Sequence, residues 1–115
     1  MKRLIPLLCL ALLLTISGFQ LLKTTLHVTV RDDLGNTVEG ASVQLFETEA
    51  DYTKEENIAA EGTTDAKGIV KFKELKAISY YVIVRHGDKD NAGGGEQTGK
   101  LEEKRTNKVT IIISD

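Results

Sequence analysis

The chain is 115 residues long, 41% apolar and 28% charged, with one Cys, one Pro, no Trp and ten Gly. That leaves room for one domain and excludes a large multidomain enzyme, a disulfide-stapled miniature fold and a collagen-like or Pro-rich filament. A net charge of −2 with 5% aromatic residues also argues against a generally basic nucleic-acid binder or a base-stacking platform.

Lys2 and Arg3 precede a run from Leu4 to Leu22 without one charged residue, densest between Leu7 and Leu14. A short basic stretch, an apolar core and the small residues Ser17 and Gly18 are the pattern of an export signal. Residues 1–22 are therefore expected to be a hydrophobic signal or anchor helix, either cleaved or retained, and 23–115 the folded domain. As a helix the uncharged run would reach ~28 Å, about the hydrocarbon thickness of a bilayer. Pro6, Gln20 and the Ser17-Gly18 pair weaken a full span and favour cleavage. In both cases the basic residues stay cytoplasmic and the remainder is exported, to the periplasm or cell surface. Cys9 lies inside the apolar run, with too little of it upstream to serve as a lipidated cysteine. Once the segment is removed the domain has no Cys, which excludes thiol chemistry and Cys-based metal sites. It keeps thirteen Lys/Arg against seventeen Asp/Glu, a net charge of −4 with little attraction to anionic headgroups.

From Thr24 the apolar period is two, as in half-buried strands. In Thr24–Arg31, Leu26, Val28 and Val30 share one face, opposite Thr25, His27, Thr29 and Arg31. Asp32-Asp33-Leu34-Gly35-Asn36 is turn chemistry. A second strand, Gly40–Glu47, turns Ala41, Val43 and Leu45 inward. The charged stretch Glu49–Asn57 around Tyr52 reads as a solvent loop, and Ile58–Thr64 as a weak strand. Asp65-Ala66-Lys67-Gly68 is the clearest hairpin signal, with Gly68 supplying a left-handed residue before the strand Ile69–Lys73. Val70 and Phe72 of that strand point inward, as do Tyr80, Val82 and Val84 of Tyr80–Arg85. Gly87–Gly99 reads as a flexible Gly-rich loop, Gln97–Glu102 as a short strand, and Asn107–Ser114 as a strong last strand with Val109, Ile111 and Ile113 inward.

Short strands at regular spacing, separated by turns and without a long helical stripe, predict an all-β fold. The expected architecture is a seven-stranded antiparallel Greek-key β-sandwich behind the N-terminal segment.

Val28-Thr29-Val30-Arg31-Asp32-Asp33-Leu34-Gly35-Asn36, followed by Gly40-Ala41-Ser42-Val43-Gln44-Leu45, resembles the opening of carboxypeptidase regulatory-like domains. Their pattern is a strand, a D-x-x-G turn, a spacer and G-A-x-V-x-L. Thr63-Thr64-Asp65-Ala66-Lys67-Gly68-Ile69-Val70-Lys71-Phe72 is similar to their hairpin, and Leu75 with Tyr80-Tyr81-Val82-Ile83-Val84 to the strand after it. Ile78-Ser79 departs from the Gly usual before the Tyr. The resemblance implies a transthyretin-like sandwich, exported and non-catalytic, on a fold shared with Cna B-type repeats and hydroxyisourate hydrolases. The hydrolases need strand His and Arg residues and a Tyr-Arg-Gly-Ser type C-terminus, whereas this sequence ends Ile112-Ile113-Ser114-Asp115. Cna B-type domains cross-link a Lys of the first strand to an Asn of the last beside an acid. Here only Lys23 with Asn107 approaches that pattern, and Val84-Arg85 stands where the acid is expected.

Candidate chemistry is thin. Asp88-Lys89-Asp90-Asn91-Ala92-Gly93 has the acids and the Gly of half a calcium loop, so Asp88, Asp90 and Asn91 are candidate metal ligands. Ala92 and Gly99 fall where two further ligands belong, and a solvated loop tip is the competing reading. His27 and His86 could share a metal only on neighbouring strands. Ser42, Ser79 and Ser114 lack a nucleophile's surroundings. No cofactor is implied. Phe46, Ile69, Tyr81, Ile83 and Ile112 fall on the outward phase of their strands. Together on one sheet they would form an interaction surface. Otherwise they are scattered, or covered by the 49–57 stretch with Tyr52. The function expected is a non-catalytic module of the bacterial envelope for protein interaction or structural support. The alternative is a carbohydrate or small-ligand binder using the 87–99 loop. The partner would be an envelope protein or a glycan, not nucleic acid, with a membrane reached only through an uncleaved N-terminal segment.

Overall fold

A computed structural model describes residues 23–115; the expected signal or anchor segment, 1–22, lies outside the described residues. The domain is built of two facing sheets. One has three strands in the order β4-β1-β7, the other four in the order β3-β2-β5-β6. Their ranges are β1 Thr25–Asp32, β2 Ser42–Phe46, β3 Ala60–Thr63, β4 Ile69–Phe72, β5 Tyr81–His86, β6 Lys89–Asp90 and β7 Thr106–Ile113. Among the described residues no helix is long and apolar enough to cross a membrane.

Period-two alternation fills the space between the sheets. Leu26, Val28 and Val30 from β1, Val43 and Leu45 from β2, Val70 and Phe72 from β4, Val82 and Val84 from β5, and Ile111 and Ile113 from β7 all pack into one core. Each such aliphatic is worth ~1.5–3 kcal/mol on burial, the main force holding the sheets face to face. Tyr80 is the largest side chain buried there, and its hydroxyl accepts the Lys76 N–H at 3.1 Å. Burial pushes that phenol above its ordinary pKa. Leu101, 3% exposed, also joins the core, from a segment expected to be a short strand. Residues 97–102 instead run as irregular backbone with a single bridge, Tyr81 to Gln97.

Both Asp-Gly turns form for identifiable reasons. The Asp32 carboxylate accepts the N–H groups of Leu34 and Asn36, and the Asp65 carboxylate those of Lys67 and Ile69. These bonds favour the ionised form, so both carboxyls sit below the usual carboxylate range. Gly68 has φ +76°, and a Cβ there would lie 2.8 Å from Thr37 Cβ and 3.0 Å from Val38 N, so the turn requires Gly on two counts.

Two further expectations are corrected. The fold is not wholly antiparallel: β1 and β7 run parallel, in register from Thr25 with Thr106 to Asp32 with Ile113. Direction in a β pair is set by how the chain returns, here through the whole second sheet, and no local pattern encodes it. The stretch expected to be a solvent loop contains a helix, α1, Glu49–Lys54. Thr48 caps it, accepting the Asp51 N–H at 3.1 Å. Glu49 and Asp51 lie in its first turn and Lys54 in its last, as the helix dipole favours. Glu55, at φ 54°, ends it in a left-handed residue.

Candidate functional site

The outer face of the four-stranded sheet is where side chains converge. Ser42, Gln44 and Phe46 of β2 stand in register with Arg85, Ile83 and Tyr81 of β5. α1 crosses above them and sets Tyr52 over the aromatic end. The Tyr52 ring meets Phe46 edge-on at 6.3 Å and Tyr81 at 5.3 Å with a 30° tilt, both favourable geometries. Its hydroxyl accepts the Gly95 N–H at 2.9 Å, so one side chain ties helix, sheet and Gly-rich loop together. Beside it Arg85 makes a two-pronged pair with Glu55 at 2.7 and 3.0 Å. That pairing lowers the Glu55 pKa and raises that of Arg85. Between α1 and the loop lies an open groove of about 350 Å³, lined among others by Glu49, Tyr52, Thr53, Ala92 and Gly93.

The five apolar residues on the outward phase, a candidate surface only if they share one sheet, are divided by the structure. Ile69 and Ile112 sit on the three-stranded sheet, the other three on the four-stranded one. Phe46 and Ile83 are 0% and 3% exposed, buried beneath α1 and outside the inter-sheet core. That corrects the expectation of exposure; the cover is the 49–57 stretch with Tyr52. Ile69 and Tyr81 are half-buried, and Ile112 is exposed.

The residues considered for metal binding are sent to separate tasks. Asn91 Oδ1 accepts the Val84 N–H at 2.7 Å, and its amide donates to Val82 O and Glu96 Oε1. Its side chain thus pairs with β5 much as a strand backbone would. The Asp90 carboxylate accepts the Ala92 N–H. Asp88 is exposed, on the rim of a different depression beside Val38 and Glu39. Among the described residues no three His, Cys, Asp or Glu side chains are grouped to hold a metal. The histidines lie on different sheets. His27 stands between Lys71 and Lys108 in register on the outer face of the three-stranded sheet, while His86 ends β5. Partial burial, then Lys71 and Lys108, hold His27 below its ordinary pKa.

Lys23 and Asn107 are not brought together as a cross-linking pair. The Lys23 ammonium lies 3.7 Å from Glu74. The Asn107 side chain accepts the Glu102 N–H at 2.8 Å and donates to the carbonyls of Thr25, Glu102 and Arg105. It braces the bend that leads into β7.

Sequence reasoning missed the Arg85–Glu55 pair and the Asn91 bridge, which join residues far apart or depend on a loop's path. The helix that carries Tyr52 and Glu55 did leave a signal. Thr48 followed by Asp51, with acids early and Lys54 late, is a capping pattern.

No family model and no curated protein matches the chain. Solved structures do. BcpA, the major pilin subunit of Bacillus cereus, is 18% identical with a TM-score of 0.53 over 79% of this chain and 29% of that one. The Bacillus anthracis TIE protein is 18% identical with a TM-score of 0.54, over 80% of this chain and 17% of that one. The group B streptococcus pilus 2b backbone protein is 18% identical with a TM-score of 0.52, over 78% of this chain and 40% of that one. The chain thus spans less than half the length of each. The likeness establishes the two-sheet fold.

Proposed function

We propose that this chain is a non-catalytic, exported module of the bacterial envelope that acts through protein–protein contact or as structural support. The observation that carries the reading is the helix-capped outer face of the four-stranded sheet. There Tyr52, Tyr81 and the Arg85–Glu55 pair build a fixed surface beside an open groove. Aromatic rings and Arg on a rigid base are what partner surfaces favour. The fold likeness to a pilin subunit and a pilus backbone protein supports a structural setting. The carboxypeptidase regulatory-like pattern of residues 28–45 and 63–84 and the export signal of residues 1–22 support an exported one.

The test places bulk where it cannot disturb the core. Thr53→Arg and Ala92→Arg both add a long side chain at exposed positions on the groove. Each should abolish cross-linking to an envelope partner while leaving the circular dichroism spectrum unchanged. Lys108→Glu, on the other sheet, should leave the cross-link intact. A cross-link that survives both groove variants sinks the proposal.

A second reading has its own observation. Tyr52, Glu49 and the backbone of Gly93 and Gly95 border the groove, an aromatic ring beside polar groups as small ligands and sugars require. A thermal upshift with a sugar, lost in Ala92→Arg, would select that reading over a protein partner.

A further inference from the structure

Among the described residues β7 has a neighbour on one side only and is eight residues long, whereas the other end-of-sheet strands β4, β3 and β6 have four, four and two. Two contacts reveal which of its backbone groups face the open side. Thr25 donates to the Arg105 carbonyl at 3.0 Å, so odd-numbered residues from 105 onward aim at β1. Ser114 exchanges two bonds of 3.1 Å with Asp90, on the side away from β1, so even-numbered residues aim outward. The N–H and C=O groups of Thr106, Lys108, Thr110 and Ile112 therefore line an open edge, and none has another backbone partner among the described residues. Such an edge is a template for a further strand.

We infer that this edge pairs antiparallel with the same edge of a second copy of the chain, with the two-fold axis at Val109. Three features select the occupant and the register. With the axis at Val109, Thr106 faces Ile112 of the second copy and Lys108 faces Thr110, so all four outward residues find partners and no like charges are directly opposed. Moving the axis to Lys108 sets the two Lys108 side chains against each other. Moving it to Thr110 drives Thr106 of the second copy into the slot beside Ser114, which Asp90 occupies.

Side chains fit the same arrangement. Val109, half-buried at the rim of the core, meets its own mate and extends the apolar inner face. On the outer face Ile112, 52% exposed, gains a Thr106 neighbour. The two three-stranded sheets become one of six strands, an isologous contact that closes on itself. The pairing uses neither α1 nor the groove, so it stands or falls separately from the proposed function.

The test uses the full chain in mild detergent, comparing the natural sequence with Thr110→Pro by light scattering across a concentration series. Proline at 110 removes an outward N–H and no β1 bond, so the variant should melt at the same temperature. The natural chain should double its protein mass per particle as concentration rises, and exchange of the Lys108 and Thr110 amides should slow in step. Thr110→Pro should remain a single chain. Association through residues 1–22 would affect both proteins alike, so a doubling that Thr110→Pro shares overturns the inference. A natural chain that stays single to millimolar concentration overturns it as well.

Discussion

The outer faces of the two sheets are treated in opposite ways. On β4-β1-β7 the outward positions include Thr25, His27, Thr29, Arg31, Lys71, Thr106, Lys108 and Thr110, with Ile69 and Ile112 the large apolar ones, and among the described residues no element lies over them. On β2 and β5 the outward positions include Phe46, Tyr81 and Ile83, and α1 with the Gly-rich loop covers them. Strand composition and cover go together. A strand with polar alternation can face water on one side, whereas apolar residues on both sides require a second layer. The difference concentrates shape and chemistry on the covered side and, among the described residues, leaves the other sheet with an open β7 edge.

The largest effect should come from emptying the space under the helix. Phe46→Ala should cost about 3–5 kcal/mol in denaturant melts, as for any large buried side chain. Ile112→Ala, its counterpart on the bare face, should stay within about 0.5 kcal/mol. Equal costs at the two sites would mean that α1 is no true cover and would break the contrast. Tyr52→Phe sharpens it more gently. Removing the hydroxyl that accepts the Gly95 N–H should cost ~1 kcal/mol and speed exchange of that amide, with the aromatic contacts kept. An unchanged Gly95 exchange rate would separate the loop from the helix.

The smallest effect is a pH dependence belonging to the bare face. His27 in the fold has a pKa below its ordinary 6.5, through burial and then Lys71 and Lys108. Between the folded value and 6.5 the unfolded chain binds more protons, so stability rises with pH through that window; above 6.5 both states are neutral, below the folded value both are protonated, and the slope vanishes. His27→Gln should flatten the slope there. A slope left intact in that variant would assign it to another group.

Much of the fold is legible in single residues. The inward sets of β1, β2, β4, β5 and β7 follow the alternation, and the turns follow Asp32, Asp65 and Gly68. The candidate site was legible only in part. Tyr52 was visible as a possible cover for outward apolar residues, and Phe46 and Ile83 carried the mark of needing one. Their burial, however, depends on a helix of six residues, too short to show an apolar stripe. Asn91 shows the opposite failure. Its place in an acid-rich, Gly-rich segment suggested a ligand, yet its amide substitutes for backbone along β5.

The sequence by itself determined which face of each strand turns toward the other sheet and where the chain turns, because side-chain alternation and turn geometry depend on neighbours within a few residues. Only the tertiary structure decided that the first and last strands lie side by side in parallel. It also decided that the second sheet carries a helical cover, and that β7 keeps one edge open among the described residues. Those outcomes depend on contacts between residues tens of positions apart, where the path of the chain and the competition for partners, rather than local preference, select the arrangement.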